Sequence, residues 1–128
     1  MQGNLLSTLG RFVFAVPFAV SGVMHLVNGS QMAAMVPLPG GVFWVYFTGA
    51  GFIIAAVAIC LKVFARLAAM GLGLMFLLWF LVLHMPRVFA ALHNGDEWSS
   101  ALVALNLAGA CSFIATTLPN RPSGNASQ

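Results

Sequence analysis

The chain has 128 residues, 61% of them hydrophobic and 5% charged, with a mean hydropathy of +0.99; a soluble domain carries about a quarter charged residues. That composition predicts a membrane protein of one domain, because the long apolar runs leave only short polar connections between them. The net charge of +3 arises from a scarcity of acids rather than from a basic cluster, which gives nucleic-acid binding no basis.

A helix needs about 20 apolar residues to cross the hydrocarbon layer, and four segments meet that demand: 8–28, 42–61, 66–86 and 98–118. Strand-like alternation is absent, so the spanning elements are helices rather than the strands of a barrel. The expected architecture is all-α, an integral membrane four-helix bundle occupying residues 1–118. The last stretch, 119–128, has no apolar periodicity and reads as a disordered tail.

The first apolar run follows Arg11 and lacks an A-x-A-like cleavage site, which makes it a retained signal anchor. Near its end Ser21 and His25 stand at i and i+4, on one helical face with Arg11. The connection "NGSQMAAMVPLPGG" is uncharged and rich in turn formers. Span 2 carries Trp44, Thr48 and Gly51 on one stripe that continues through Ala55 to Lys62. The link "KVFAR" is so short that spans 2 and 3 must be antiparallel neighbours. On span 3, Arg66, Gly73, His84 and Arg87 fall nearly in line, and Pro86 is expected to widen the helix and free a carbonyl beside His84. The next connection, "RVFAALHNGDEW", holds Asp96 and Glu97, the only acids in the chain, and leaves His93 solvated. Span 4 offers Ser99, Asn106 and Gly109 as a polar and small stripe expected to face the interior.

Arg11, Lys62, Arg66 and Arg121 fall on one side of this arrangement and Arg87 on the other, so the positive-inside rule places both termini in the cytoplasm. Trp44, Tyr46 and Trp98 then form an outer aromatic belt. Cys60 and Cys111 differ in depth by roughly 9 Å on the helical rise, too far apart for a disulfide.

Counted from the span centres, His25 and His84 both lie roughly 10 Å toward the outer side. Buried polar groups in hydrocarbon need partners, so a polar pocket is expected there. Its candidate residues are Arg11, Ser21, His25, Trp44, Tyr46, Thr48, Phe80, His84 and Asn106. The plainer reading keeps Asn106 and the histidines as interhelical hydrogen-bond glue, with Arg11 and Arg66 as interfacial anchors. Two histidines on separate spans also match axial haem ligation, but one histidine per span sets haem below the alternatives. Met24 and Met85 beside the histidines suggest Cu(I), yet neighbours on a helix point about 100° apart, so no metal site is assigned. A quinone or similar apolar ring suits a pocket with Trp44, Tyr46, Trp79 and Phe80 as walls and imidazoles as hydrogen-bonding and proton-relaying groups.

Read in order, "RFVFAVPFAVSGVMHLVNGSQMAAMVPLPG", "WVYFTG" and "KVFARLAAMGLGLMFLLWFLVLHMP" resemble the DoxX-like family of small membrane proteins over residues 11–117. The likeness lies in an arginine leading into G-x-x-H-L, a proline-rich loop, V-Y-x-T-G, and H-x-P closing span 3. It implies a four-helix protein of the bacterial cytoplasmic membrane, associated in some members with thiosulfate:quinone oxidoreductase, terminal quinol oxidase or oxidative-stress complexes. It also carries over onto Arg11, His25, Thr48 and His84. Many members have an acid soon after the T-G, where this chain has Phe52, which removes any role resting on that carboxylate. The expected function is an accessory or subunit of a quinone-linked redox system, with redox-complex subunits or further copies of itself as the expected partners. The alternative is a non-enzymatic scaffold or assembly factor that binds partner transmembrane helices through Gly51, Ala55 and Ala58. A transporter is disfavoured by the lack of intramembrane acids and of an inverted repeat.

Overall fold

The computed structural model describes residues 2–119. Apart from Pro119, the segment expected to be a disordered tail lies outside the described residues. Helix α1 spans Gln2–Val27, α2 Gly29–Ala33, α3 Gly41–Leu61, α4 Ala65–Trp79, α5 Met85–Ala90 and α6 Gly95–Thr117. A π-helical turn, Phe80–His84, joins α4 to α5 without a break in direction. Four stretches, Asn4–Val27, Gly41–Leu61, Ala65–Ala90 and Gly95–Thr117, are long and apolar enough to cross a membrane, as in a multi-pass membrane protein.

Helix α1 begins at Gln2 rather than near residue 8, and three further features differ from the sequence reading for identifiable reasons. Helix α6 starts at Gly95 because the Asn94 side chain accepts a hydrogen bond from the Asp96 amide at 3.0 Å. This N-cap draws Asp96 and Glu97 into the first turn, where the helix dipole favours acids. The third span runs past Pro86 to Ala90, because the π turn absorbs the missing amide. The first connection folds a short helix, α2, followed by a turn ending at Gly40 in the left-handed region (φ 73°). Between α3 and α4 only Lys62–Phe64 intervene, and Lys62 (φ 58°) and Phe64 (φ 50°) both take left-handed backbone to reverse the chain. Such conformations cost a non-glycine residue about 1 kcal/mol or more, held in place here by the packing of two long helices.

The helices pack as an open series: α1 against α3, α3 against α4, and α4 against α6. No Cα of α1 comes within 8 Å of α6. Two glycine crossings set the close pairs. A Cβ on Gly22 of α1 would lie 2.7 Å from the Gly49 carbonyl oxygen of α3, and one on Gly49 would lie 2.8 Å from the His25 Cβ. A Cβ on Gly73 of α4 would meet Cys111 Cβ of α6 at 3.2 Å. Small residues at such crossings let backbones approach, the usual source of packing energy between apolar helices in lipid. The interior face of α6 is accordingly Ala101, Ala104, Ala108, Cys111 and Ala115. Ser99, Asn106 and Gly109 are exposed on its other side, so the expectation that this stripe faces the interior is corrected. Close contact with α4 requires the small apolar face, which turns the polar one outward. The core between the helices is built on Phe18, Phe52, Ile59, Leu72 and Phe76 among these alanines.

Chain direction gives the molecule two ends. The basal end holds the start of α1, the Lys62–Phe64 link and the end of α6. The apical end holds α2, the proline-rich connection and the residues between α5 and α6.

Candidate functional site

A cavity of about 700 Å³ opens in the apical half. Helix α1 supplies Phe14, Phe18, Ser21 and His25 to its wall, and α3 supplies Trp44, Thr48 and Phe52. Phe76, Trp79, His84 and Arg87 come from the third span, Val103 and Leu107 from α6, and Met32 and Met35 from the first connection.

The Gly22–Gly49 crossing places His25. Three residues on from Gly22, its Cβ sits over Gly49 and its ring meets Phe52 edge-on, with centroids 5.3 Å apart. Its Nδ1 is 2.7 Å from the Ser21 carbonyl oxygen. A carbonyl only accepts, so Nδ1 carries the proton and donates, leaving the Nε2 lone pair for another partner. The stretch S-G-x-x-H thus has a physical basis: Gly22 allows the approach, and Ser21 fixes the tautomer through its main chain.

Thr48, the residue before the crossing glycine, is buried. Its hydroxyl accepts a hydrogen bond from Trp79 Nε1 at 3.2 Å and keeps its own proton to donate. Trp79 in turn meets Trp44 edge-on at 6.0 Å, and Trp44 Nε1 donates to the Pro39 carbonyl at 3.1 Å, tying the first connection to the cavity rim.

His84 reaches the cavity because of the π turn. In a regular α-helix Trp79 and His84, five residues apart, would point about 140° away from each other. The i→i+5 bonding of the turn, seen in the Met85 amide donating to the Phe80 carbonyl, brings them toward one side. Pro86 has no amide to donate and so disfavours regular α-helix at this point. Unlike His25, His84 has its Nδ1 buried with no hydrogen-bond partner among the described residues. One turn on, Arg87 donates from Nη2 to Glu97 Oε1 at 2.9 Å, which closes the apical corner with a neutralised charge.

Five of the residues proposed from the sequence therefore share one cavity: Ser21, His25, Trp44, Thr48 and His84. The other four do not line it. Asn106 points outward with its stripe. Tyr46 lays its ring on Gly29, outside the cavity wall, and Phe80 is half-buried and absent from that wall. Arg11 lies more than three turns of helix below His25, with Nε and Nη1 buried and unpartnered among the described residues and its guanidinium carbon 5.3 Å from the Phe12 ring. Arg66 is exposed at the basal end, away from His84 and Arg87.

The sequence did not single out the floor. Phe18, Phe52 and Phe76 form a mutual aromatic cluster with centroids 5.5 to 5.7 Å apart. Nothing in a run of apolar residues distinguishes a phenylalanine facing a cavity from one filling a core. Phe52, at the position where the resembled family often has an acid, is 5% exposed and packs on the His25 ring. The site is thus an aromatic bowl with imidazole and hydroxyl groups toward its apical end. Among the described residues no group of three His, Cys, Asp or Glu stands together as a metal site. Comparison of the chain with protein-family models, with curated proteins and with solved structures returns no match.

Proposed function

We propose that this protein is a DoxX-like accessory or subunit of a quinone-linked redox system in a bacterial cytoplasmic membrane, and that its cavity holds the quinone ring for partner subunits to reduce or oxidise. The observation that carries this reading is that His25 and His84, from separate helices, line one cavity of about 700 Å³. That volume lies within the range of small-molecule pockets, about 300–1,000 Å³. A quinone carbonyl accepts hydrogen bonds and a quinol hydroxyl also donates them. Thr48 O–H, the His25 Nε2 lone pair and the unpartnered His84 ring can serve either state, and an imidazole can pass the proton between them. The aromatic floor supplies faces on which a planar ring stacks.

The test is quinone binding to the purified protein in lipid nanodiscs, read by quenching of Trp44 and Trp79. His25→Ala and His84→Ala are each expected to weaken binding about tenfold, the equivalent of one lost hydrogen bond of roughly 1.4 kcal/mol. They should lower quinone-dependent electron transfer in membranes to match. Unchanged affinity in both variants would reject the reading.

A second reading rests on a different surface. A largely apolar groove of about 540 Å³ runs between α3 and α4 on the face away from the histidines, lined by Gly51, Ile54, Ala55, Ala68 and Gly71. Small residues of this kind admit a partner helix, as a scaffold or assembly factor requires. The histidine variants discriminate between the two, since a scaffold keeps its complex when they are made.

A further inference from the structure

We infer that the cavity is filled sideways from the bilayer, and that its ligand is a ring compound with a long apolar tail lying in the seam between α1 and α6. This rests on the quinone reading above and adds where the two parts of the ligand lie. The supporting observations concern the walls rather than the histidines. The helices pack in an open series, and α1 and α6, its two ends, do not approach within 8 Å between Cα atoms. Both nevertheless contribute to the same cavity: Val13, Phe14 and Pro17 on one side, Val103 and Leu107 on the other. The cavity therefore occupies the gap where a closed bundle would bring its first and last helices together.

Polarity is graded along this gap. Ser21, His25, Thr48, His84 and Arg87 lie toward the apical end, whereas Val13, Phe14, Phe18 and Leu107 deeper in offer no hydrogen-bonding side chain. The first connection crosses the apical end. Its Met32, Met35 and Val36 line the cavity there, held by the Trp44–Pro39 hydrogen bond, and the Arg87–Glu97 pair closes the neighbouring corner. Val13 is 73% exposed and Val103 54% exposed, at the edges of the seam.

A small water-soluble molecule has no use for such a path. A membrane-dissolved amphiphile matches both features: its ring finds the only polar groups at the apical end, and its tail leaves between Val13 and Val103 without breaking a helix contact. Burial of each methylene against these walls is worth about 0.8 kcal/mol relative to water, but nothing relative to lipid, so the tail is tolerated in the seam rather than gripped. The ring then sets affinity, and the seam sets which tails are admitted.

The test compares a tail-less benzoquinone with the same ring carrying a polyprenyl tail, each titrated into the full chain in phosphatidylcholine nanodiscs. The variants Val13→Phe and Val13→Trp narrow the seam to different degrees on the wall farthest from the ring-binding groups, and both are carried in case one fails to fold. The expected result is that seam variants lose affinity for the tailed quinone about tenfold while holding the tail-less ring within about twofold of wild type. Retained binding of the tail-less ring also reports an intact cavity. Undiminished binding of the tailed quinone by both variants would overturn the lateral seam while leaving the quinone reading standing. Equal loss of both ligands, with helical circular dichroism unchanged, would overturn it too, because the seam would then be part of the ring site. Failure of wild type to bind either quinone would remove the quinone reading itself, and the seam proposal with it.

Discussion

Gly22 and Gly49 matter for the hydrogen atoms they carry in place of side chains. A methyl group on Gly22 would stand 2.6 Å from Ile53 Cγ1 and 2.7 Å from the Gly49 carbonyl, and the latter belongs to a helix backbone that cannot yield without moving α3. Gly22→Ala is therefore expected to cost about 1–3 kcal/mol, the usual penalty of overpacking. Gly71→Ala, where a Cβ would meet nothing within 4 Å, is expected to cost nothing and to gain helix propensity. Reversible unfolding in mixed detergent micelles, followed by tryptophan fluorescence, checks both; equal stability of the two variants would show that the crossing is looser than described. The same crossing holds His25, so Gly22→Ala should also disturb ligand binding while Gly71→Ala should not. Arg11 presents a different residue-scale feature. Its guanidinium is partly buried, and the only two acids of the chain, Asp96 and Glu97, lie at the far end of the bundle.

Among the elements, the third span has the least regular geometry. A straight α-helix through Ala65–Ala90 could not present Trp79 and His84 to one cavity, since five residues turn a side chain through about 500°. The π turn at Phe80–His84 corrects that mismatch and coincides with the proline that makes regular bonding incomplete. Pro86→Ala restores an amide and is expected to favour regular α-helix. The helical circular dichroism should be retained and quinone affinity should fall about tenfold as His84 turns away from the cavity. Unaltered affinity would show that the turn does not aim His84. The sequence foretold widening near Pro86, because the missing amide is a local fact. It could not foretell that the helix continues to Ala90, since that depends on neighbours packing on both sides of the turn.

At the scale of the whole molecule, charge and shape point the same way. Arg87, the single arginine or lysine at the apical end among the described residues, is neutralised by Glu97, and Asp96 adds a negative charge there. Lys62 and Arg66 stand unopposed by any acid at the basal end. The positive-inside rule would favour a basal end in the cytoplasm, an orientation in which the cavity would open in the outer half of the membrane. In a background with Cys60 and Cys111 replaced by alanine, a cysteine at Ser30 is expected to react with a membrane-impermeant maleimide on intact spheroplasts. One at Val63 should react only after permeabilisation. The reverse pattern would invert the molecule and place the cavity on the cytoplasmic side.

Four long apolar helices, their antiparallel order and the placing of His25 and His84 toward the same end follow from the amino-acid sequence alone, because hydrophobic length and depth along a helix are counted residue by residue. Which face of each helix turns inward was decided only in three dimensions. Asn106 is the clear case: its polarity argued for the interior, but the close α4–α6 contact at Gly73 required the alanine face of α6 instead. Arg11 shares a face with His25 yet stands too far down the axis to join it. The aromatic floor of Phe18, Phe52 and Phe76, and the open seam beside α1, are likewise products of how the helices pack. An apolar side chain carries no local mark of whether it meets a neighbour, a cavity or lipid; the distance between helix axes settles that, and small residues far apart in the chain set the distance.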